Sequence, residues 1–207
     1  RTDLTDAEVA AFTAQRWRFP GVDINQREHR IYPEHALGSH IIGYVSSLSL
    51  NDKKRLDSEG VLALYQGERE IGKVGLERSY EHILHGTPGH ETLEITADGR
   101  SVRTLELIPA HPGKNLRLSV DMNLQSVAEN AMKGKTGAII AIEPRTGEIL
   151  SFVSLPTYDL NLFPGGIDPE SWSYLNTAET KPLLNRAMRG IYPIGSTYKP
   201  FMALAGL

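Results

Sequence analysis

The sequence predicts an α+β chain in two parts, residues 1–113 and residues 114–207. Three observations predict it. Its 207 residues are enough for one large or two small domains. Segments of helical and of alternating periodicity occur in both halves. Between them, Pro109-Ala110-His111-Pro112-Gly113 has the composition of a linker.

Thr5-Asp6-Ala7-Glu8 is a capping box, so a helix should run to about Trp17 and stop at Pro20-Gly21. An alternating, strand-like stretch starts at Val22-Asp23-Ile24 and reaches Tyr32. Ile41-Ile42-Gly43-Tyr44-Val45 is a further apolar segment. Residues 50–72 are polar and charged and read as a surface helix and loop, with partner docking as the alternative. Leu76, Tyr80, Ile83 and Leu84 lie on one face of an amphipathic helix that His85-Gly86 and Pro88-Gly89 end. Two alternating segments, residues 93–95 and 102–107, flank Asp98-Gly99 and signal a hairpin.

In the second part Leu116, Leu118 and Val120 alternate as a strand. Leu124, Val127, Ala128, Ala131 and Met132 make a helical stripe. Residues 138–142 are a short apolar run of central-strand type. Pro144-Arg145-Thr146-Gly147 turns the chain, and residues 149–153 pair back. Pro156 ends that strand, and an irregular stretch follows to about residue 194. Within it, Asp168-Pro169 suits an N-cap with proline at the first helical position.

Charge is near balance, 22 basic against 25 acidic side chains, which gives no electrostatic reason to expect nucleic acid. Cysteine is absent, which excludes disulfides and thiolate chemistry. No apolar run approaches the roughly 20 residues of a membrane span. The chain opens on Arg1 and ends within an apolar run after Pro200 that reads as the start of a buried helix. The natural chain is therefore expected to extend past both ends.

Ser196-Thr197-Tyr198-Lys199 is an S-x-x-K tetrad. On a helix, positions i and i+3 share a face, so the lysine amine can reach the serine hydroxyl. Serine is a weak nucleophile until a base takes its proton. Lysine serves as that base when desolvation or a nearby cation favours its neutral form. Burial at the start of a core helix would supply the desolvation. The Ser196 N–H, at a helix N-terminus, is the candidate oxyanion donor. The tetrad alone is weak, since ordinary composition yields roughly one by chance in such a chain. Its bland alternative is a helix-start serine followed by an exposed lysine.

The flanks are more specific. Tyr192-Pro193-Ile194-Gly195-Ser196-Thr197-Tyr198-Lys199-Pro200 resembles the Y-P-P-G-S-T-x-K-P signature of class B penicillin-binding proteins, with Ile194 in place of proline. Asn185-Arg186-Ala187 resembles the N-R-A ahead of that signature, and Glu143-Pro144-Arg145-Thr146-Gly147 its D-P-x-T-G turn. Gly72-Lys73-Val74-Gly75-Leu76-Glu77 resembles the G-x-x-G-x-E of the family's pedestal. Arg30-Ile31-Tyr32-Pro33 and His40-Ile41-Ile42-Gly43-Tyr44 resemble its R-x-Y-P and H-x-x-G-Y elements. The segments Arg18-Phe19-Pro20-Gly21-Val22, Asn51-Asp52-Lys53 and Tyr158-Asp159-Leu160-Asn161-Leu162-Phe163 are most similar to the penicillin-binding protein 2 branch of Gram-negative bacteria.

The resemblance implies an incomplete dimerisation-type pedestal over residues 1–113. After it, residues 114–207 form the N-terminal part of a truncated penicillin-binding transpeptidase (serine β-lactamase-like) domain. It implies a D,D-transpeptidase that cross-links peptidoglycan stem peptides during cell-wall elongation, through an acyl-enzyme on Ser196 with Lys199 as base. β-Lactams would acylate the same serine. No cofactor or metal is implied. Implied partners are a RodA-like glycosyltransferase and a pedestal-binding scaffold protein. The implied location is the periplasmic face of the inner membrane, with the anchor outside this segment.

The family's S-x-N and K-T-G elements follow the nucleophile. Ser49-Leu50-Asn51 and Lys135-Thr136-Gly137 precede Ser196 and are rejected as catalytic, so this segment alone is expected to be inactive. His82 and His85 read as surface residues rather than metal ligands. Glu77 and Glu81, one turn apart, are expected to form solvated ion pairs with Arg78 and Lys73 rather than an acid/base site. Trp17 and Trp172 read as packing residues, and Asn185 and Arg186 as braces for the loop before Ser196. Two rivals stay open: a β-lactamase or β-lactam sensor, which would release penicillin, and a non-catalytic scaffold module of the wall-synthesis complex, which would not bind it covalently.

Overall fold

The computed structural model describes residues 4–19, 21–22, 24, 29–97 and 101–207. The first helix, α1 (Asp6–Ala14), starts on the expected capping box. The Thr5 N–H donates to the Glu8 carboxylate at 2.8 Å, and the Glu8 N–H donates to the Thr5 hydroxyl at 3.3 Å. A 3-10 turn, Arg16–Arg18, prolongs it. The stretch from Val22 to Tyr32 is not a strand at its described residues, and its residues 23 and 25–28 lie outside them. Tyr32 is buried, and its backbone N–H pairs with the Asn161 side chain at 2.9 Å rather than with a strand.

Helix α2 (Ser39–Ile42) leads into β1 (Val45–Ser47), which pairs antiparallel with β2 (Glu70–Gly72). Between these strands run α3 (Leu50–Ser58) and a 3-10 turn, Leu62–Tyr65. Residues 50–72 are more than the expected surface segment. Their few apolar side chains converge, and Leu56, Tyr65 and Ile71 form a small buried core beneath charged outer faces.

The helix expected across residues 76–84 breaks in two, α4 (Gly75–Ser79) and α5 (Glu81–Leu84), at Tyr80. The break sets the Glu81 carboxylate against the Gly72 N–H at 2.8 Å. The expected hairpin is present as β3 (His90–Ile95) and β4 (Ser101–Ile108), with Asp98-Gly99 outside the described residues. Residues 109–113 are fastened to the first part. Thr87 and His111 exchange backbone hydrogen bonds, and the Lys114 N–H reaches the Ile83 carbonyl.

Leu116, Leu118 and Val120 form no strand. Helix α6 (Met122–Ala131) is present, yet its buried face is not the predicted stripe. Val127 is 65% exposed, and the wholly buried side chain is Gln125. Its amide pairs with the Phe152 backbone in both directions, at 2.7 and 3.0 Å, and takes the Ser151 hydroxyl at 3.0 Å. A polar residue sits here because it satisfies a strand's edge.

β5 (Gly137–Ile142) pairs antiparallel with β6 (Ile149–Leu155). β6 is buried over Ser151–Leu155. β5, expected as a central strand, has one strand neighbour among the described residues and an open face carrying Ile140 and Ile142. After β6 come the 3-10 turn Leu160–Leu162 and α7 (Pro169–Thr177), capped as predicted by Asp168 on the Ser171 N–H. The chain then forms α8 (Arg186–Arg189), a 3-10 turn Gly195–Tyr198, and α9 (Lys199–Ala205).

The larger core draws on both sides of residue 113. Tyr32 packs with Tyr158, Leu160, Phe163 and Leu175, and Ile42 and Tyr44 lie against them. The Tyr44 and Phe163 rings stack at 3.5 Å. Residues 32–44 are thereby seated on residues 158–175.

Candidate active site

Gly195 enters the site with φ +57°, a left-handed conformation that glycine adopts without a Cβ clash. Ser196 follows in the 3-10 turn, and Lys199 is the first residue of α9. Across a continuous helical turn, residues three apart lie on the same side, so the spacing allows Ser196 and Lys199 to share one face. The Ser196 N–H lies in the first turn, where backbone donors have no partner within the helix. The Thr197 hydroxyl donates to the Ile194 carbonyl and closes the turn at the position where the signature has proline.

The burial expected around Lys199 is not supplied by the described residues. Ser196 and Lys199 are exposed. So is the apolar side of α9, with Phe201 at 64% and Leu204 at 70%. Neither the Ser196 hydroxyl nor the Lys199 amine makes a hydrogen bond among the described residues.

Upstream, the chain is held firmly. The Arg186 guanidinium donates to the carbonyls of Thr180, Lys181 and Leu184, and its N–H donates to the Ser154 hydroxyl at 2.9 Å. The Asn185 side chain accepts the Met188 N–H and donates to the His40 carbonyl, both at 3.1 Å. These residues brace the loop as expected, but toward β6 and α2. An open cleft of about 480 Å³ lies between α8 and β5, lined by Ala138, Ile140, Arg186 and Tyr192 among others.

The pedestal-like segments meet at Glu77. Arg30 approaches its carboxylate with two nitrogens, at 2.9 and 3.1 Å, and the Tyr32 hydroxyl donates to it at 3.2 Å. The same hydroxyl accepts the Val45 N–H at 2.9 Å. Burial, reinforced by the Glu77 charge, pushes the Tyr32 phenol above its ordinary range. The expected solvated pairing with Arg78 and Lys73 is therefore corrected. Glu77 is buried and pairs with Arg30, whereas Lys73 pairs with Asp52. Glu81 is turned away and accepts from Gly72 and Tyr65, and burial pushes its carboxyl up.

Ser49 is the N-cap of α3, and Gly137 opens β5, so both decoy motifs have structural places. His82 is exposed, while His85 lies against the Tyr65 ring at 4.1 Å, partly covered rather than on the open surface. Trp17 is 81% exposed and Trp172 45%, so neither packs as predicted. His40 and Asn161 stand out in the sequence only as members of quoted motifs, with no contact assigned, and Gln125 does not stand out; its one signal is a polar residue set within an apolar stripe.

Comparison with known proteins supplies the family. The pattern described as "Penicillin-binding Protein dimerisation domain" matches residues 1–118, and "Penicillin binding protein transpeptidase domain" matches residues 137–207. The chain is 41% identical to the peptidoglycan D,D-transpeptidase MrdA of Escherichia coli K12, over 100% of this chain and 33% of that protein. Against MrdA of Acinetobacter baumannii the identity is 44%, over 100% and 30%. The chain thus spans about a third of the length of the curated relatives it matches. Among solved structures, penicillin-binding protein 2 of Helicobacter pylori in complex with MreC superposes with a TM-score of 0.84 at 33% identity, over 99% of this chain and 37% of that one. Penicillin-binding protein 2 of Pseudomonas aeruginosa in complex with WCK 5153 gives 0.74 at 41%, over 89% and 36%. With its dimerisation pattern, its partial transpeptidase pattern and these neighbours, the chain belongs to the class B penicillin-binding proteins, in the group of penicillin-binding protein 2.

Proposed function

We propose that the protein to which this chain belongs is a peptidoglycan D,D-transpeptidase of cell-wall elongation, with Ser196 as nucleophile and Lys199 as its base. The observation that supports this reading is the helical turn after Gly195, which sets Ser196 and Lys199 three residues apart at its start. Ser196 attacks the D-Ala-D-Ala carbonyl of a stem peptide as its hydroxyl proton passes to Lys199. The oxyanion accepts the Ser196 N–H, and the terminal D-alanine leaves with a proton returned from the lysine. An amine of a neighbouring stem peptide then takes the acyl group and frees Ser196. A β-lactam carbonyl is attacked in the same way, and its opened ring stays attached.

The division at residues 109–113, into a pedestal and a transpeptidase part, belongs to the same reading. So do the periplasmic site, the membrane anchor outside this segment and a RodA-like partner. The scaffold partner is supported by the likeness to the Helicobacter pylori protein solved with MreC. The 207 residues alone give no turnover. Their S-x-N and K-T-G tripeptides cap α3 and open β5, leaving Ser196 without those two elements. Lys199 also stays in water.

The test is fluorescent penicillin with the full-length protein. Stable labelling that Ser196→Ala abolishes is the expected result. Rapid release of the label favours the hydrolytic rival. Absence of label, or label surviving Ser196→Ala, overturns the catalytic reading.

A further inference from the structure

We propose that Asn185 is a positioning residue for acylation, a strut that fixes the Ser196-bearing segment to the N-terminal part through the His40 carbonyl. The inference rests on the reading of Ser196 as nucleophile.

Three observations carry it. First, the Asn185 side chain is divided between two tasks. Its oxygen caps α8 through the Met188 N–H, and its amide nitrogen donates across 145 residues of sequence to the His40 carbonyl. A cap needs only an acceptor, which serine or aspartate also supplies. The bond to His40 needs a donor at that reach.

Second, the carbonyl it finds is itself fixed. His40 is 7% exposed, its Nε2 lies 3.3 Å from the Pro156 carbonyl, and its ring stands edge-on to Tyr158 at 5.2 Å. Burial pulls the imidazole below its ordinary range. The Pro156 carbonyl can only accept, so Nε2 is the donor in that contact. On the opposite side the Ser154 hydroxyl donates to the Leu184 carbonyl and accepts the Arg186 N–H. Residues 184–186 are clamped between β6 and α2.

Third, this clamp is the last one before the nucleophile. Beyond Arg186 no hydrogen bond to a distant part of the chain is made among the described residues, and residues 191–200 are exposed. The height and direction at which α8 releases the chain toward Ser196 are set at Asn185. A misplacement of about 1 Å costs on the order of a hundredfold in a reaction that needs alignment. The strut also joins the histidine of the H-x-x-G-Y segment to the asparagine of N-R-A, so a shift of α2 is transmitted to the nucleophile loop.

The experiment measures the acylation rate of full-length Asn185→Ser and Asn185→Asp by fluorescent penicillin, with thermal melting and peptide-level amide exchange alongside. Both variants keep an acceptor for α8 and lose the donor to His40. The expected result is acylation slowed by roughly tenfold or more in both. The final labelling stoichiometry should be unchanged, and exchange should rise within residues 186–199 of a cooperatively melting protein. Wild-type rates in both variants would show that Asn185 is only a cap and overturn the proposal. So would an exchange increase spread evenly over the chain. Label that survives Ser196→Ala in the wild-type background overturns the underlying nucleophile reading instead, and that control is read independently of Asn185.

Discussion

The carboxamide of Asn161 closes a ring on the backbone of Tyr32, accepting its N–H at 2.9 Å and donating to its carbonyl at 2.8 Å. The pair acts as a one-residue strand partner and joins segments 129 residues apart. Beside it, Asp159 accepts from His35 at 3.1 Å and from Asn161. Leaving the Tyr32 backbone unpaired at this partly buried junction costs about 1–3 kcal/mol. Asn161→Ala is expected to lower the unfolding free energy by that amount, seen as a lower urea midpoint with an unchanged slope. Asn161→Asp should recover little, because a second acceptor would face the Tyr32 carbonyl.

Arg30 and Glu77 give a second prediction. Glu77 is 8% exposed at its side chain and Arg30 41%, so the two are unequal partners. Removing Arg30 leaves a buried carboxylate supported by the Tyr32 hydroxyl alone, which is the costly direction. Arg30→Met is expected to destabilise by about 1–3 kcal/mol after allowance for the exposed arginine. Adding Glu77→Leu should recover part of the loss, which a double-mutant cycle followed by chemical denaturation would show. Strict additivity would deny the coupling.

The acid limb of stability has two opposed contributors. Burial would raise the Asp52 carboxyl, but hydrogen bonds from Lys73 and Ser49 outweigh it and hold the group at about 2, below its ordinary 3.8. A depressed carboxyl stabilises above its unfolded value and loses that contribution as pH falls through the folded value. Lys73→Met should therefore cost stability at neutral pH. The gap from wild type should close as pH falls from about 3.8 toward about 2.

Glu81 has the reverse sign. Burial raises its carboxyl despite the Gly72 N–H, so its charged form is penalised in the fold. Its contribution is full below the ordinary value of 4.5 and is lost as pH rises through the folded value. Glu81→Gln keeps an acceptor for Gly72. It should be more stable than wild type at neutral pH, with the advantage vanishing below about 4.5. Equal stability of the two proteins at neutral pH would contradict this.

Gly43 and Gly75 interlock where α2 ends and α4 begins. Both have positive φ, and a Cβ on Gly43 would overlap the Val74 carbonyl while one on Gly75 would overlap the Gly43 backbone. Each alanine substitution adds backbone strain of about 1–3 kcal/mol to a steric conflict with main chain. Gly43→Ala and Gly75→Ala are expected to lower the melting temperature more than Gly60→Ala, where the Cβ meets open space.

The sequence by itself determined what is decided within a few residues. The capping box at Thr5, the Asp168 cap with Pro169, the β3–β4 hairpin and the Ser196-to-Lys199 spacing depend on groups three to five residues apart or on local turns, and they were legible. The ordered motifs also determined the family. Tertiary structure decided which face is buried and which charge meets which. Leu76 to Leu84 reads as one helix, but the Glu81–Gly72 contact is served by a break at Tyr80. The apolar stripe of α6 is largely exposed while Gln125 is buried, because β6 offers unpaired backbone groups that an amide satisfies and a leucine does not. Glu77 finds Arg30 across 47 residues rather than Arg78 beside it. Periodicity records that a side chain is apolar or charged, but the partner that satisfies it is brought there by the rest of the chain. Ser196 and Lys199 show the same division: their spacing is local, and the burial that would make the lysine a base is not.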